Sequence, residues 1–169
     1  MRSWLVLIVI LTGIDQLSKY IAQTSLVFAE PVPVTPFVNF MLVYNKGAAF
    51  SFLSDAGGWQ RWFFVALASG VCIYLLMWLR NLHKGQAFLG VGLSFILSGA
   101  LGNLIDRVIY GKVTDFIDFF YPSQQECIIF FFYLPSNTCH WPTFNIADIL
   151  ITIGASILLL QLLQESRSK

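Results

Sequence analysis

The sequence predicts a membrane protein with four transmembrane α-helices and a small extracytoplasmic β-rich cradle. Three observations carry the membrane part. Of the 169 residues, 57% are hydrophobic and only 11% are charged, where a soluble domain carries about 25%. Four apolar runs are long enough to cross a bilayer at ~1.5 Å per residue. Strand-like stretches and the chemistry-bearing polar residues fall in the two longer connections and at the ends of runs that face them. One domain over residues 1–169 is expected, with spans at about 4–22, 59–79, 86–107 and 145–164.

The first run spans Trp4 to Ala22. Arg2 and the apolar stretch Trp4–Leu11 mimic a signal peptide, but the run continues to Ile14 and meets Asp15, Gln16, Ser18 and Lys19 with no A-x-A site. A retained first helix is therefore expected. Asp15 stands four residues before Lys19, the favourable order for a helical ion pair.

Residues 23–58 form the first connection. Pro31, Pro33 and Pro36 exclude a regular helix. Phe37–Tyr44 and Ala48–Leu53 flank Asn45-Lys46-Gly47 and read as a hairpin. Asp55-Ala56-Gly57-Gly58 then breaks the chain. The second span, Trp59–Leu79, has tryptophans at both ends as interfacial anchors and a buried, inert Cys72.

A short basic loop, Arg80–Lys84, leads to the third span, Gln86–Arg107. Gly90, Gly92, Gly99 and Gly102 suit close helix packing. Asn103, Asp106 and Arg107 make its end polar. Residues 108–143 form the second connection. Gly111–Phe119 reads as a strand, and the apolar run Ile128–Leu134 as a hairpin or an interfacial segment. The fourth span, Asn145–Gln164, opens with Asn145, Asp148 and Thr152 on one helical face.

Arg2, the Arg80–Lys84 loop and Arg167/Lys169 fall on one side, which the distribution of basic residues assigns to the cytoplasm. Asp15, Asn45, Asn103, Arg107, Asp115, Asn145 and Asp148 then converge on the outer boundary. Two carboxylates in one site drive their pKa values apart, so one can activate water while the other donates to the attacked carbonyl. Asp115 and Asp148 are the candidate pair, and this chemistry requires no metal or other cofactor. Other chemistries fit less well. Ser18 and Lys19 are adjacent and do not face each other on a helix. His83 and His140 lie on opposite sides of the membrane, which argues against a two-histidine metal site or a Ser-His-Asp triad, and His140 reads as a loop residue. Cys72, Cys127 and Cys139 have no zinc spacing. A net charge of +1 offers no nucleic-acid surface.

In order along the chain, Asp15-Gln16-Leu17-Ser18-Lys19, Asn45-Lys46-Gly47-Ala48-Ala49-Phe50, Gly99 through Arg107, Val113-Thr114-Asp115-Phe116 and Phe144-Asn145-Ile146-Ala147-Asp148 resemble the motifs of the bacterial lipoprotein signal peptidases, the type II signal peptidases. The resemblance covers nearly the whole chain. It implies a four-helix inner-membrane aspartyl endopeptidase with both termini cytoplasmic, working without a cofactor. Such an enzyme removes the signal peptide of a diacylglyceryl-modified prolipoprotein just before the lipidated cysteine. By that resemblance Asp115 and Asp148 are catalytic. Asn103, Asn145 and Arg107 orient the dyad or substrate, Asn45 and Gly47 support the site, and Asp15 and Lys19 tie helix ends. Asp106 is expected to be structural. Membrane lipid is the surrounding partner, and a monomer suffices.

The chain departs from the family pattern between Phe119 and Phe144, where the connection is longer and contains Cys127 and Cys139. In an oxidising compartment these two can pair. The bond would be worth roughly 3 kcal/mol in the chain-entropy model; two free cysteines are the alternative. Two rival functions remain at this level. A transporter predicts polar residues at mid-span, where there are almost none. An assembly protein predicts that Asp115→Asn and Asp148→Asn alter stability without abolishing turnover.

Overall fold

The computed structural model describes residues 2–47, 58–83, 85–122, 127, 138–167 and the backbone of 132–134. In chain order come α1 (Arg2–Ser25), β1 (Val32–Thr35), β2 (Val38–Asn45), α2 (Trp59–Arg80), α3 (Ala87–Tyr110), β3 (Val113–Pro122), β4 (Phe132–Leu134), β5 (Thr138–His140) and α4 (Ile146–Arg167). The four helices are each long and apolar enough to cross a membrane.

Helix α3 is central and packs against α1, α2 and α4. Its small residues explain why. A Cβ on Gly99 would fall on the Ala147 carbonyl oxygen, and one on Gly154 would come within 2.6 Å of the Gly92 oxygen. The backbones of α3 and α4 therefore touch at two levels, seven residues apart on each helix, as small residues permit in a bilayer. At the opposite face of α3, Ile8, Leu75, Leu79, Leu89, Leu93 and Leu97 form the apolar core. The outer faces carry exposed Val6, Val9, Ile10, Leu67 and Ile73, a surface suited to lipid. Because Gly99 sits opposite the first turn of α4, Gly99→Leu is expected to cost about 1–3 kcal/mol by overpacking. Thermal unfolding in detergent checks this, and an unchanged midpoint would refute backbone contact at that level.

Helix α3 ends at Gly111, whose φ of +71° is left-handed and whose N–H bonds the Arg107 carbonyl at 3.1 Å. Arg61 of α2 completes this end. Its Nε donates to the Arg107 carbonyl at 2.9 Å and its Nη2 to the Val108 carbonyl at 2.6 Å. The chain thus turns directly from α3 into β3.

The sheet is antiparallel with order β1-β2-β3-β5-β4. The expected strand Phe37–Tyr44 is present as β2, but it pairs with β1 and β3. Its expected hairpin partner, Ala48–Leu53, lies outside the described residues, as do Asp55–Gly57, Lys84, Lys169 and Ile128–Phe131. The proline-rich stretch, read only as non-helical, supplies edge strand β1. A sheet tolerates proline at its edge, where no ladder N–H is demanded.

Strand β3 is the axis of the cradle. Side-chain alternation puts Val113, Asp115, Ile117 and Phe119 on one face, and Thr114, Phe116, Asp118 and Phe120 on the other. On the edge opposite β2, residues 138–144 run antiparallel along β3. Phe120 pairs with His140, Trp141 N–H bonds the Phe119 carbonyl at 2.8 Å, and Phe144 exchanges bonds with Ile117. His140, expected in a loop, is instead a buried strand residue. Cys127 and Cys139 are joined by a disulfide, with Cys139 fully buried.

Candidate active site

Asn145 and Asp148 meet at the entrance of α4 because they cap it. Asn145 Oδ1 accepts the Asp148 N–H at 3.0 Å, and Asp148 Oδ2 accepts the Asn145 N–H at 3.2 Å. This is a reciprocal capping box. The intervening Ala147 N–H goes to Asp15 Oδ1 of α1 at 2.8 Å. Donors that a helix start leaves orphaned are thus satisfied by side chains.

The Asn145 amide also reaches β3. Its Nδ2 donates to Asp115 Oδ1 at 2.7 Å, to Asn103 Oδ1 at 3.1 Å and to the Thr114 carbonyl at 3.3 Å. One fully buried asparagine therefore holds both candidate carboxylates, Asp115 through its side chain and Asp148 through its backbone. Asn103 Oδ1 also accepts Lys19 Nζ at 3.0 Å, so its Nδ2 points to Asp148 Oδ1 at 2.9 Å.

Behind these groups is a buried charge cluster. Lys19 Nζ lies 2.9 Å from Asp15 Oδ2 and 3.3 Å from Asp106 Oδ2. Asp106 also accepts Gln16 Nε2 at 3.0 Å and the Thr114 N–H at 2.9 Å, which anchors the start of β3 to α3. Asp15 lies against Gly102, where a Cβ would collide with its carboxylate. On the far side, Arg107 Nη2 donates to the Gly47 carbonyl at 3.2 Å and Nη1 to the Asn103 carbonyl at 3.3 Å. Its guanidinium lies 5.4 Å from the centre of the Phe64 ring. The Gly47 N–H bonds Asn45 Oδ1 at 3.0 Å in an Asx turn, and Asn45 hydrogen-bonds Asp115.

The Asp115 carboxyl is 3% exposed. Burial, and then the charge of Asp148, push its pKa up to about 7, against the opposing bonds from Asn145 and Asn45 and the charge of Lys19. A carboxyl of this kind can hold a proton near neutrality.

Two cavities adjoin the site, one lined by both carboxylates and the other by Asp148. One of about 360 Å³ is lined by Asn45, Asn103, Arg107, Asp115, Thr143 and Asp148 among others. A second, of about 510 Å³, is apolar apart from its rim and is lined by Phe119, Trp141, Phe144, Ile149 and Ile153. Trp141, Phe144, Asp148 and Thr152 line both, so Asp148 stands where the polar chamber meets the apolar one, and Asp115 lines the polar chamber. Among the described residues, no group of three or more His, Cys, Asp and Glu could hold a metal.

All nine residues expected at the site are thus in one connected network. Sequence reasoning left out Gln16 and Thr114, which tie Asp106 to its neighbours, and the cleft residues Phe119 and Trp141. Alternation along β3 would have placed Phe119 on the Asp115 face. No sequence signal marks Trp141.

Comparison with known proteins gives the family and the fold. The family model described as signal peptidase (SPase) II matches residues 7–164. The chain is 48% identical over 158 residues to a lipoprotein signal peptidase of Hydrogenovibrio crunogenus, covering 94% of this chain and 82% of that one. It is 47% identical over 168 residues to a lipoprotein signal peptidase of Acinetobacter baumannii, covering 98% and 87%. A solved bacterial membrane enzyme structure superposes with a TM-score of 0.77 at 31% identity, covering 100% of this chain and 92% of that one.

Proposed function

The chain belongs to the signal peptidase II family, the lipoprotein signal peptidases, and from that premise we propose that Asp115 and Asp148 are an aspartyl dyad. The dyad cleaves a diacylglyceryl-modified prolipoprotein just before its lipidated cysteine. The observation that supports this most is the single asparagine, Asn145, bonded to both carboxyls.

The reaction follows from two carboxyls sharing one proton. The ionised carboxylate takes a proton from a bound water, whose oxygen attacks the scissile carbonyl carbon. The protonated carboxyl gives its proton to the carbonyl oxygen. In the collapse of the tetrahedral intermediate the C–N bond breaks, the carboxyl that took the water proton delivers it to the leaving nitrogen, and the other carboxylate takes back a proton from a hydroxyl of the intermediate, which restores the shared proton of the dyad. The products are a signal peptide ending in a carboxylate and a lipoprotein with a free α-amino group on its lipidated cysteine. Arg107, Asn45 and Gly47 line or brace the polar chamber where substrate backbone would lie, and the apolar chamber receives apolar parts of the substrate.

The enzyme is a multi-pass protein of the bacterial inner membrane. One integral membrane peptidase domain, both termini cytoplasmic, the sheet and dyad at the extracytoplasmic boundary, and a monomer in lipid complete the proposal. The side-by-side placement of the cavities and the exposed apolar helix faces support it.

The test is cleavage of a diacylglyceryl-modified prolipoprotein by purified protein in detergent. Wild type should cleave it, chelator should have no effect, and Asp115→Asn and Asp148→Asn should not cleave. The pH profile adds a signed expectation. Below about 7 Asp115 holds its proton, and above that value the dyad loses its acid. The rate is expected to fall with an alkaline limb near that pH, approaching about tenfold per unit. A profile flat from weakly acidic to well above neutral pH would remove Asp115 from the acid role.

A further inference from the structure

The back face of the sheet carries a second buried polar chain that takes no part in the dyad. Asn39 Nδ2 donates to Asp118 Oδ2 at 3.0 Å. The other side of that carboxylate meets His140, whose Nδ1 lies 2.8 Å from Oδ1 and 2.9 Å from Oδ2. His140 Nε2 lies 2.9 Å from Thr138 Oγ1, and the imidazole stacks on Phe120 at 5.7 Å. Asp118 is 0% and His140 7% exposed. These side chains cross β2, β3 and β5 in one line. They fasten a three-residue strand whose pairing with β3 has only three rungs.

What that strand carries gives the chain its consequence. His140 is followed by Trp141-Pro142-Thr143-Phe144, which line the polar cavity and whose Trp141 and Phe144 also line the apolar one. Alternation turns Asp118 and His140 away from the cleft and Phe119 toward it. Backbone bonds at Trp141 and Phe144 and a Phe119–Phe144 ring contact at 5.2 Å tie the wall to β3. Between those two points, Pro142 offers no N–H to a ladder. Upstream of the wall β5 is held by β4 and by the Cys127–Cys139 disulfide, and the Asn39–Asp118–His140 chain adds a side-chain tie from behind, across to β3 and β2.

We propose that Asp118 and His140 are positioning residues for the substrate, acting through the Trp141–Phe144 wall. They set how well the cleft fits the prolipoprotein and leave the dyad chemistry untouched. The proposal rests on the reading of this cleft as the prolipoprotein site. Removing either partner lets the wall shift, so substrate binding weakens, while Asn145, Asn103 and Lys19 continue to hold Asp115 and Asp148 from the other side. Asparagine at position 140 can restore a donor at the place of Nδ1, which a small apolar side chain cannot.

The experiment measures kcat and KM of detergent-purified wild type, His140→Ala, His140→Asn, Trp141→Ala and the His140→Ala/Trp141→Ala double variant on one diacylglyceryl-modified prolipoprotein. Wild-type cleavage and its loss in Asp115→Asn establish the cleft reading first, so a failure of that reading appears there. His140→Ala is expected to raise KM about tenfold, the scale of a small misplacement of a binding surface, with kcat changed less than about threefold. His140→Asn should recover most of the loss, and the double variant should be no worse than Trp141→Ala alone. A fall in kcat at unchanged KM, or multiplicative effects of His140→Ala and Trp141→Ala, would overturn the proposal. If His140→Ala yields no folded protein, Thr138→Val, which removes the hydroxyl partner of Nε2, carries the test with the same required direction in KM.

Discussion

Asp115→Asn is expected to lose cleavage while folding at least as well as the wild type at neutral pH. The two effects have one origin. Burial and the charge of Asp148 raise the Asp115 pKa from 3.8 to about 7, and each unit corresponds to about 1.4 kcal/mol. In the unfolded chain the carboxyl ionises near its ordinary value, so in the folded protein it binds its proton more tightly. Its contribution to stability is complete below the unfolded pKa and is lost as pH rises through about 7. At neutral pH the fold therefore bears a cost of order 4 kcal/mol for this one group. Asparagine carries no charge to bury, and its oxygen can still accept the Asn145 amide. Activity should drop by about 10³-fold or more, as expected when an acid–base group is removed from a dyad. Melting curves of both proteins at pH values on either side of neutrality, alongside cleavage rates, decide the matter. An assembly role for the dyad would show as retained turnover.

The opposite behaviour is expected of Lys19→Met. Its ammonium is 2% exposed and touches Asp15, Asp106 and Asn103 at once. Without it two buried carboxylates face each other across α1 and α3 with no cation between them. Breaking a buried pair by removing one partner costs about 3–5 kcal/mol, a large fraction of a typical folding free energy. The variant should melt far below the wild type or fail to accumulate, with activity lost as a consequence. A midpoint within about 2 °C of wild type, the scale of a small perturbation, would show that the cluster does not hold the helices together.

The helices were legible because their signals are local, whereas the meeting of Asp115 with Asp148 is made by the fold and carries no local signal. Four long apolar runs have the length and composition of spans, and the Asn145–Asp148 spacing is a helix-start signature as well as a motif. The small residues of α3 announced a close approach, and the structure shows the partners, Ala147 and Gly154. Cradle details were less legible. β1 was hidden by Pro31, Pro33 and Pro36, which argue against helix without arguing for an edge strand. His140 sits in a strand of three residues, too short for alternation to register. Its significance depends on Asp118, which only folding brings near it. Trp141 faces the cleft because β3 turns it there, a tertiary fact with no local cause.

The capping box at the start of α4 makes Asp148 answer to two selections at once. A side chain there must accept the Asn145 N–H for the helix to begin cleanly, and for the proposed chemistry it must be a carboxyl that can gain and lose a proton near neutral pH. Asparagine or serine can meet the first demand and fail the second; alanine fails both. Saturation mutagenesis scored separately for abundance and for cleavage should therefore split the two carboxyls. Position 115 would tolerate neutral polar replacements in abundance, whereas position 148 would rank its replacements by capping strength. Every one of them would still be silent in cleavage.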